Sequence, residues 1–531
     1  MRRCVLLPLL LVGCASTVAS TLPATPPVDP HPAQGTPIGP AVSASPAPRY
    51  AAVFDELVKR IERDHTFPPA YARDVGHRWE DDVPRLREEF ARATSRQEAL
   101  IALRHLQNSL RDAHCDLSAP ADLHERWVRI GLRIWPGGTA SAPEVRVSEV
   151  LDHDVKDTIA PGDAIVAVDG APLAGWIAAH PFETNLLSPT AALAETTSQI
   201  VFARLPWSTV KEDDSRVLGI VHDGKRRDVS MHFRRSFPEA EGPDLDHPPA
   251  MAEVDCDATA PPQYGDYALA AMGVNVCVYK SARATQPRVA IVRFLSFYYG
   301  GIDNAQSLRM VKADHDVLSR ALRGVDGVVL DVHENHGGNN PFIFLGWCSS
   351  GPWDHERVVT RVVSGLDSAS VAELFWGDER NVSAYAEAQK AGRPTIETRF
   401  LCPSGSCVGE TSSANERVTR APVALVVGQD CMSSCDTLAL TWSTFHLGPL
   451  VGQQPMHAYT VNRLPIHVSG PESEDLGTLR VALSESELNS GVTVEGEPLT
   501  LDWDAPDTFE TRKTWIREAV EQAKKRLAAR R

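Results

Sequence analysis

Positive charge is in short supply in this chain. Its 531 residues carry 53 Lys and Arg against 69 Asp and Glu, a formal net charge of -16. A surface of that sign repels phosphate backbones, so nucleic acid is not an expected partner. Long apolar runs are missing from the N-terminus. The run Val5 to Val12 is broken by Pro8 and is too short to span a bilayer as a mature helix. From Ser20 to Pro48 large apolar residues are almost absent, and Pro, Ala, Thr and Ser take their place. Such a segment buries no core and reads as a semi-extended tether. Zinc spacings are absent as well. His333, Glu334 and His336 lack the His-Glu-x-x-His spacing that sets two ligands on one helical face. Cys402/Cys407 and Cys431/Cys435 lack the two-residue gap of zinc knuckles. Neither a metal nor an organic cofactor is expected.

What is present suits a globular, exported protein. Hydrophobic residues make up 43% and charged residues 23%, enough for about three domains at roughly 150 residues each. Arg2 and Arg3 open a targeting segment that ends in Leu11-Val12-Gly13-Cys14. This resembles the bacterial lipobox, in which the cysteine is acylated and becomes the first residue. Cys14 is therefore the expected lipid-attachment site, and two or more acyl chains would give a stable membrane anchor. Ser16 in place of an acidic residue points to the outer membrane, on its periplasmic face. Beyond Cys4 and Cys14, eight of the ten cysteines remain. An even set in an oxidising compartment predicts disulfides, with the pairing left open.

The pattern then changes along the chain. Val53, Leu57, Val58 and Ile61 repeat at helical spacing, as do Ala99, Leu100, Leu103, Leu106 and Leu110, which predicts a small helical domain over 49–118. Short β-type runs follow over 119–235. There Ile159-Ala160-Pro161-Gly162-Asp163, then Ile165 and Val168-Asp169-Gly170, resemble the PDZ signature of two tight turns around a strand. Domains of that kind bind extended peptide segments by strand addition. Over 236–531 strands and helices alternate. Val289 to Phe294, Gly327 to Val332 and Pro422 to Val427 read as buried parallel strands. Ala305 to Leu322, Cys435 to Phe445 and Thr511 to Ala529 read as helices, the last a packed closing helix.

Two strand-to-helix turns carry the chemistry. Asp430-Cys431-Met432-Ser433-Ser434-Cys435-Asp436 follows an apolar strand and opens a helix. A serine there lies where open α/β sheets place ligands, beside free helix N–H groups that suit an oxyanion. Alone, Ser433 reads as an N-cap rather than a nucleophile. Asp331-Val332-His333-Glu334-Asn335-His336-Gly337-Gly338 also follows a buried strand. Its two glycines let backbone N–H groups approach a substrate.

Together these segments resemble the tail-processing and tricorn-type serine peptidases. That family carries Asp-x-Arg-x-Asn-x-Gly-Gly, then a strand and a short nucleophile turn. Here Asp331, Asn335, Gly337 and Gly338 match, with His333 in place of the arginine. Leu110-Arg111-Asp112-Ala113-His114 is similar to the family's Leu-x-Asp-x-His, and Val492-Thr493-Val494-Glu495-Gly496 resembles the segment carrying its catalytic glutamate. The resemblance covers Tyr50 to the C-terminus. It implies a multidomain α+β protein: a helical bundle, a PDZ-like β domain and a crotonase-like α/β peptidase core.

The tail-processing branch takes its base from a lysine some two dozen residues past the serine. No lysine lies between Lys390 and Lys513, which leaves the histidine-dependent tricorn branch. The resemblance then makes Ser433 the nucleophile, His114 its base and Glu495 the carboxylate behind the base, with Gly338 and Ser434 amides as the oxyanion hole. The tricorn branch has a serine before its histidine where this chain has Ala113. His457, nearer to Ser433 in sequence, is the rival base. The expected activity is serine-type peptide hydrolysis of exported proteins or peptides. A non-catalytic binding protein on the same scaffold and an esterase are the alternatives.

Overall fold

The computed structural model describes residues 49–67, 70–235, 256, 264–283, 287–299, 304–338, 341–349, 357–375, 378–398, 417–459, 462–487, 494–505, 508–511 and 514–529. The lipobox with Cys14, the tether and the Cys402/Cys407 pair lie outside these residues. Four helices come first: α1 (Ala51–Asp64), α2 (Ala70–Val75), α3 (Trp79–Arg92) and α4 (Arg96–Ser109). In α1 the apolar repeat puts Phe54, Leu57, Val58 and Ile61 on one buried face. Ser95 caps α4 by accepting from the Glu98 amide at 3.3 Å. These helices share one hydrophobic core with a three-stranded sheet. Leu103 and Leu106 of α4 pack in the same cluster as Leu464, Ile466, Leu479 and Val481. That sheet pairs Asp116–Ser118 with Asp475–Ala482, and the latter with Arg463–Ser469. Early and late parts of the chain are thereby joined through apolar burial.

An antiparallel sheet occupies the next segment. Its strands run Leu132–Thr139, Ala142–Val150, Ala164–Val168, Ser215–His222 and Lys225–His232, with Ala171–Pro172 folded back on the third. Asp169 and Gly170 form the two-residue turn there, with φ of 48° and 82°. Positive φ at both positions is what a tight hairpin requires, and Asp-Gly supplies it cheaply. Val145, Val147, Ile165, Val168, Leu218 and Ile220 fill the interior.

The largest sheet has seven strands in chain order: β1 (Tyr267–Met272), β2 (Val276–Ser281), β3 (Val289–Phe294), β4 (Gly327–Asp331), β5 (Val423–Val427), β6 (Leu450–Gly452) and β7 (Trp503–Asp504). The first two pairings are antiparallel and the rest parallel. Residues on β3, β4 and β5 are buried on both faces, hence their mostly apolar text, interrupted only by Arg293 and Asp331. Val328 and Leu330 face a cluster containing Leu318 of α5 (Asn304–Ala321) and Leu438 of α6 (Ser434–Thr444). Val329 faces the opposite cluster with Ile516, Ala519 and Ala523 of α7 (Trp515–Ala529), which closes the sheet as expected. The expected mixed α/β architecture is present. Among the described residues, no helix is long and apolar enough to cross a membrane.

Two of the expected disulfides form, Cys256–Cys277 and Cys431–Cys435. Cys115 and Cys348 are free and buried.

Candidate active site

Ser433 lies at the turn between β5 and α6, with φ 59° and ψ -119°. That backbone conformation costs a non-glycine residue ~1–3 kcal/mol and persists only where the surroundings fix it. Here they do. The Asp436 carboxylate, wholly buried, accepts from the Ser433 amide at 3.2 Å. It also accepts from the amides of His457 and Ala458, each at 3.0 Å. The Ser433 amide further reaches the Ala458 carbonyl at 3.1 Å. The Cys431–Cys435 disulfide closes the same turn from both sides. Asp436 was part of the recognised turn, but its role as the organising acceptor was not legible. An acid three residues into a helix is an ordinary capping signal.

The glycine loop packs directly on this turn. The Asn335 side chain accepts from the Gly337 amide at 2.8 Å, and the Asn335 carbonyl accepts from the Met432 amide at 3.2 Å. Gly337 has φ +86°, and a Cβ there would lie 2.5 Å from the Met432 carbonyl oxygen and 3.0 Å from the Ser433 Cβ. Only glycine lets the two turns approach so closely. Ser434 Oγ donates to the Gly338 carbonyl at 2.9 Å. The two residues assigned to the oxyanion hole are therefore neighbours, with Ser434 in the first turn of α6.

His114 follows α4 after a tight turn at Arg111, whose φ is 51°. Asp112 fixes the turn by accepting from the His114 amide at 2.8 Å. Burial drives the pKa of His114 down to about 4, against the opposing pull of Asp112. The imidazole is neutral at pH 7, as a general base must be. One donor atom each of Asp112, His114 and Glu495 lie within 4.8 Å of one another. Glu495 is 4% exposed and accepts from the Tyr459 amide at 2.7 Å. The short strip 458–459 thus touches both ends of the site: Ala458 holds Ser433 and Tyr459 holds Glu495. With Ala113 in place of a hydroxyl, the ring nitrogens of His114 have no hydrogen-bond partner among the described residues, Glu495 included.

His457 has other commitments. Its Nε2 lies 3.0 Å from the Gln454 side-chain oxygen, which also accepts from the Leu499 amide at 2.9 Å. Burial lowers its pKa to about 4 as well, so basicity does not separate the two histidines. Their contacts do, because His457 is tied to Gln454 while both ring nitrogens of His114 have no hydrogen-bond partner among the described residues.

His333 stands where the family pattern has arginine, and it carries a positive charge. Burial opposes that charge, but Asp331 and Glu334 outweigh it and raise the pKa to about 10. Its Nδ1 lies 2.6 Å from Asp331 Oδ1. Arg293, at the end of β3, pairs with Glu334, and Tyr264 donates to Asp331. These two residues were not foreseen. The signal for Arg293 was a lone cation inside an otherwise apolar strand.

A separate cleft beside α3 and α4 holds His105, with Nδ1 2.6 Å from Glu89 and Nε2 3.8 Å from Glu183. Burial disfavours its charge, yet the two carboxylates prevail and raise its pKa to about 9. A histidine so paired is a bound cation at neutral pH and a poor base.

No family model matches the chain, and no curated protein matches it in sequence. Solved structures do share its fold. Mature CPAF in complex with lactacystin is similar to it with a TM-score of 0.62 at 13% identity, over 90% of this chain and 97% of that one. Mature CPAF without that compound gives 0.61 at 12% identity, over 90% and 96%. A serine-to-alanine mutant of CPAF gives 0.62 at 13% identity, over 90% and 96%. The chain therefore has the fold of CPAF along nearly its whole described length.

Proposed function

We propose that this chain is a serine peptidase with Ser433 as nucleophile and His114 as base. The observation that supports it most is a strained Ser433 fixed by Ala458, whose neighbour Tyr459 holds the Glu495 carboxylate that lies near the neutral His114. Ser433 Oγ would attack a peptide carbonyl while His114 takes its proton. Gly338 and Ser434 amides would receive the oxyanion. Collapse of the tetrahedral species would expel the amine, which takes the proton from His114. Water, activated by the same imidazole, would then release the acyl group and restore Ser433. Asp112 and Glu495 would favour the transient imidazolium. The six-stranded antiparallel region would present peptide segments in the manner of a PDZ domain. Acylation of Cys14 would hold the protein in the cell envelope, with exported proteins or peptides as substrates.

Fluorophosphonate labelling tests the reading. Wild type should label, and Ser433→Ala and His114→Ala should not. Labelling that survives Ser433→Ala sinks the proposal, and normal labelling of His114→Ala with loss in His457→Ala reassigns the base. Hydrolysis of casein or peptides, compared with simple esters, separates a peptidase from an esterase.

A further inference from the structure

We infer that His65, Asp112 and Cys115 form a buried binding site for zinc, directly behind the proposed base. One donor atom from each lies within 4.8 Å of the other two. All three residues are 1% exposed. Among the described residues, both ring nitrogens of His65 and Oδ2 of Asp112 have no hydrogen-bond partner, and His65 Nε2 stands 3.7 Å from that Oδ2. Leaving a buried polar atom unsatisfied costs ~1–3 kcal/mol, so such a group of them calls for an occupant.

The donor set selects the occupant. One imidazole, one carboxylate and one thiol are the mixed soft and borderline ligands that zinc takes, and calcium or magnesium would not use the sulfur. Zinc bonds of ~2.0–2.3 Å place tetrahedral ligand atoms ~3.3–3.8 Å apart, and the His65–Asp112 pair at 3.7 Å already lies in that range. Water completes the coordination. The surroundings already orient the ligands. Asp112 Oδ1 is taken by the His114 amide at 2.8 Å, which leaves Oδ2 toward His65. The Cys115 sulfur accepts from the Ala482 amide at 3.4 Å, which fixes its direction, while burial pushes the thiol's pKa up and disfavours a thiolate without an ion. Zinc would displace the thiol proton, and one proton would leave to solvent for each ion bound. His65 and Cys115 lie 50 residues apart in sequence, counted from their numbers, and no short motif marks the site.

A consequence for activity rests on the proposed function, although the binding itself does not. Zinc would draw Asp112 toward His65 and Cys115 and so shift the His114 amide that the same carboxylate holds at 2.8 Å; we expect acylation to slow by roughly tenfold or more. Zinc would act as a reversible brake, lifted by a chelator.

Cobalt provides the test, applied to the purified full chain without reductant so that the disulfides persist. Wild type should bind one Co²⁺ at this site and show a thiolate-to-cobalt charge-transfer band. Cys115→Ser should lose the band, and His65→Gln should weaken binding at least tenfold. Cys348→Ser, which removes the other free thiol among the described residues, should keep it. Circular dichroism checks that each variant is folded. Absence of the band in wild type overturns the site, as does its survival in Cys115→Ser or its loss in Cys348→Ser. A normal band in a protein that never labels with fluorophosphonate would leave the site standing and remove the peptidase reading. A normal band with labelling unaffected by zinc would remove the brake.

Discussion

Replacing His333 should change how stability depends on pH, and by an amount the structure sets. Its pKa rises from 6.5 to about 10 on folding, because Asp331 and Glu334 outweigh the cost of burial. A raised pKa means the folded state holds the proton more tightly. The contribution is full below pH ~6.5, and it is lost as pH climbs through about 10. At ~1.4 kcal/mol per unit, the full contribution is about 5 kcal/mol, and about 4 kcal/mol of it remains at pH 7. The same attraction depresses Glu334 to about 2. The two shifts describe one coupling and are not added. His333→Gln should therefore lower stability at pH 7 by up to about 4 kcal/mol and flatten the decline between pH 7 and pH 10. His333→Arg should keep the stability and also flatten the decline, since guanidinium stays charged throughout. Urea midpoints across that range measure both effects, with tryptophan fluorescence as the probe. An unchanged pH slope in both variants would refute a charged His333.

Three further outcomes are expected. With the pKa of His114 at about 4, kcat/KM should rise with pH through about 4 and then stay level through neutrality. A profile rising near pH 6.5 would mean that the base is not the buried imidazole described. Gly337→Ala should abolish labelling of Ser433, because its Cβ would sit 2.5 Å from the Met432 carbonyl at a φ of +86°; retained labelling would show that the two turns separate easily. Replacing Cys431 and Cys435 together by serine should cut labelling at least tenfold while leaving far-ultraviolet circular dichroism unchanged, since the bridge closes only the local turn. Full labelling of that double variant would show that Asp436 alone suffices.

Much of this architecture was legible where a single physical rule dominates. β3 begins and ends at Val289 and Phe294, as its apolar run, broken only by Arg293, indicated. α5 spans Asn304–Ala321 against an expected 305–322, a one-residue offset within the fraying of helix ends. Asp169-Gly170 formed its tight turn because both residues tolerate positive φ. Ser433 and the glycine loop each follow a buried strand of the seven-stranded sheet, as the apolar runs before them indicated. Other features required the third dimension. Asp112 was visible only as part of a motif, whereas its two oxygens serve His114 on one side and face His65 on the other. Asp331 gathers its partners from its own loop and from two other segments: His333, the nearby charge of Arg293 and the hydroxyl of Tyr264. Spacing carries no trace of such convergence.

The core shared by α1 to α4 with Arg463–Ser469 and Asp475–Ala482 has a consequence for biosynthesis. A ribosome delivers His114 early and Glu495 near the end, and the strands that support the first helices arrive only with the last part of the chain. Domains usually fold as units in order of synthesis. Here the helices would wait, half-supported, for a sheet not yet made. A nascent or truncated chain ending before residue 463 would have Ser433 but no assembled partner for it. Hydrolytic power on this scaffold would therefore arise late, after the chain is complete, and a premature stop would release an inert fragment.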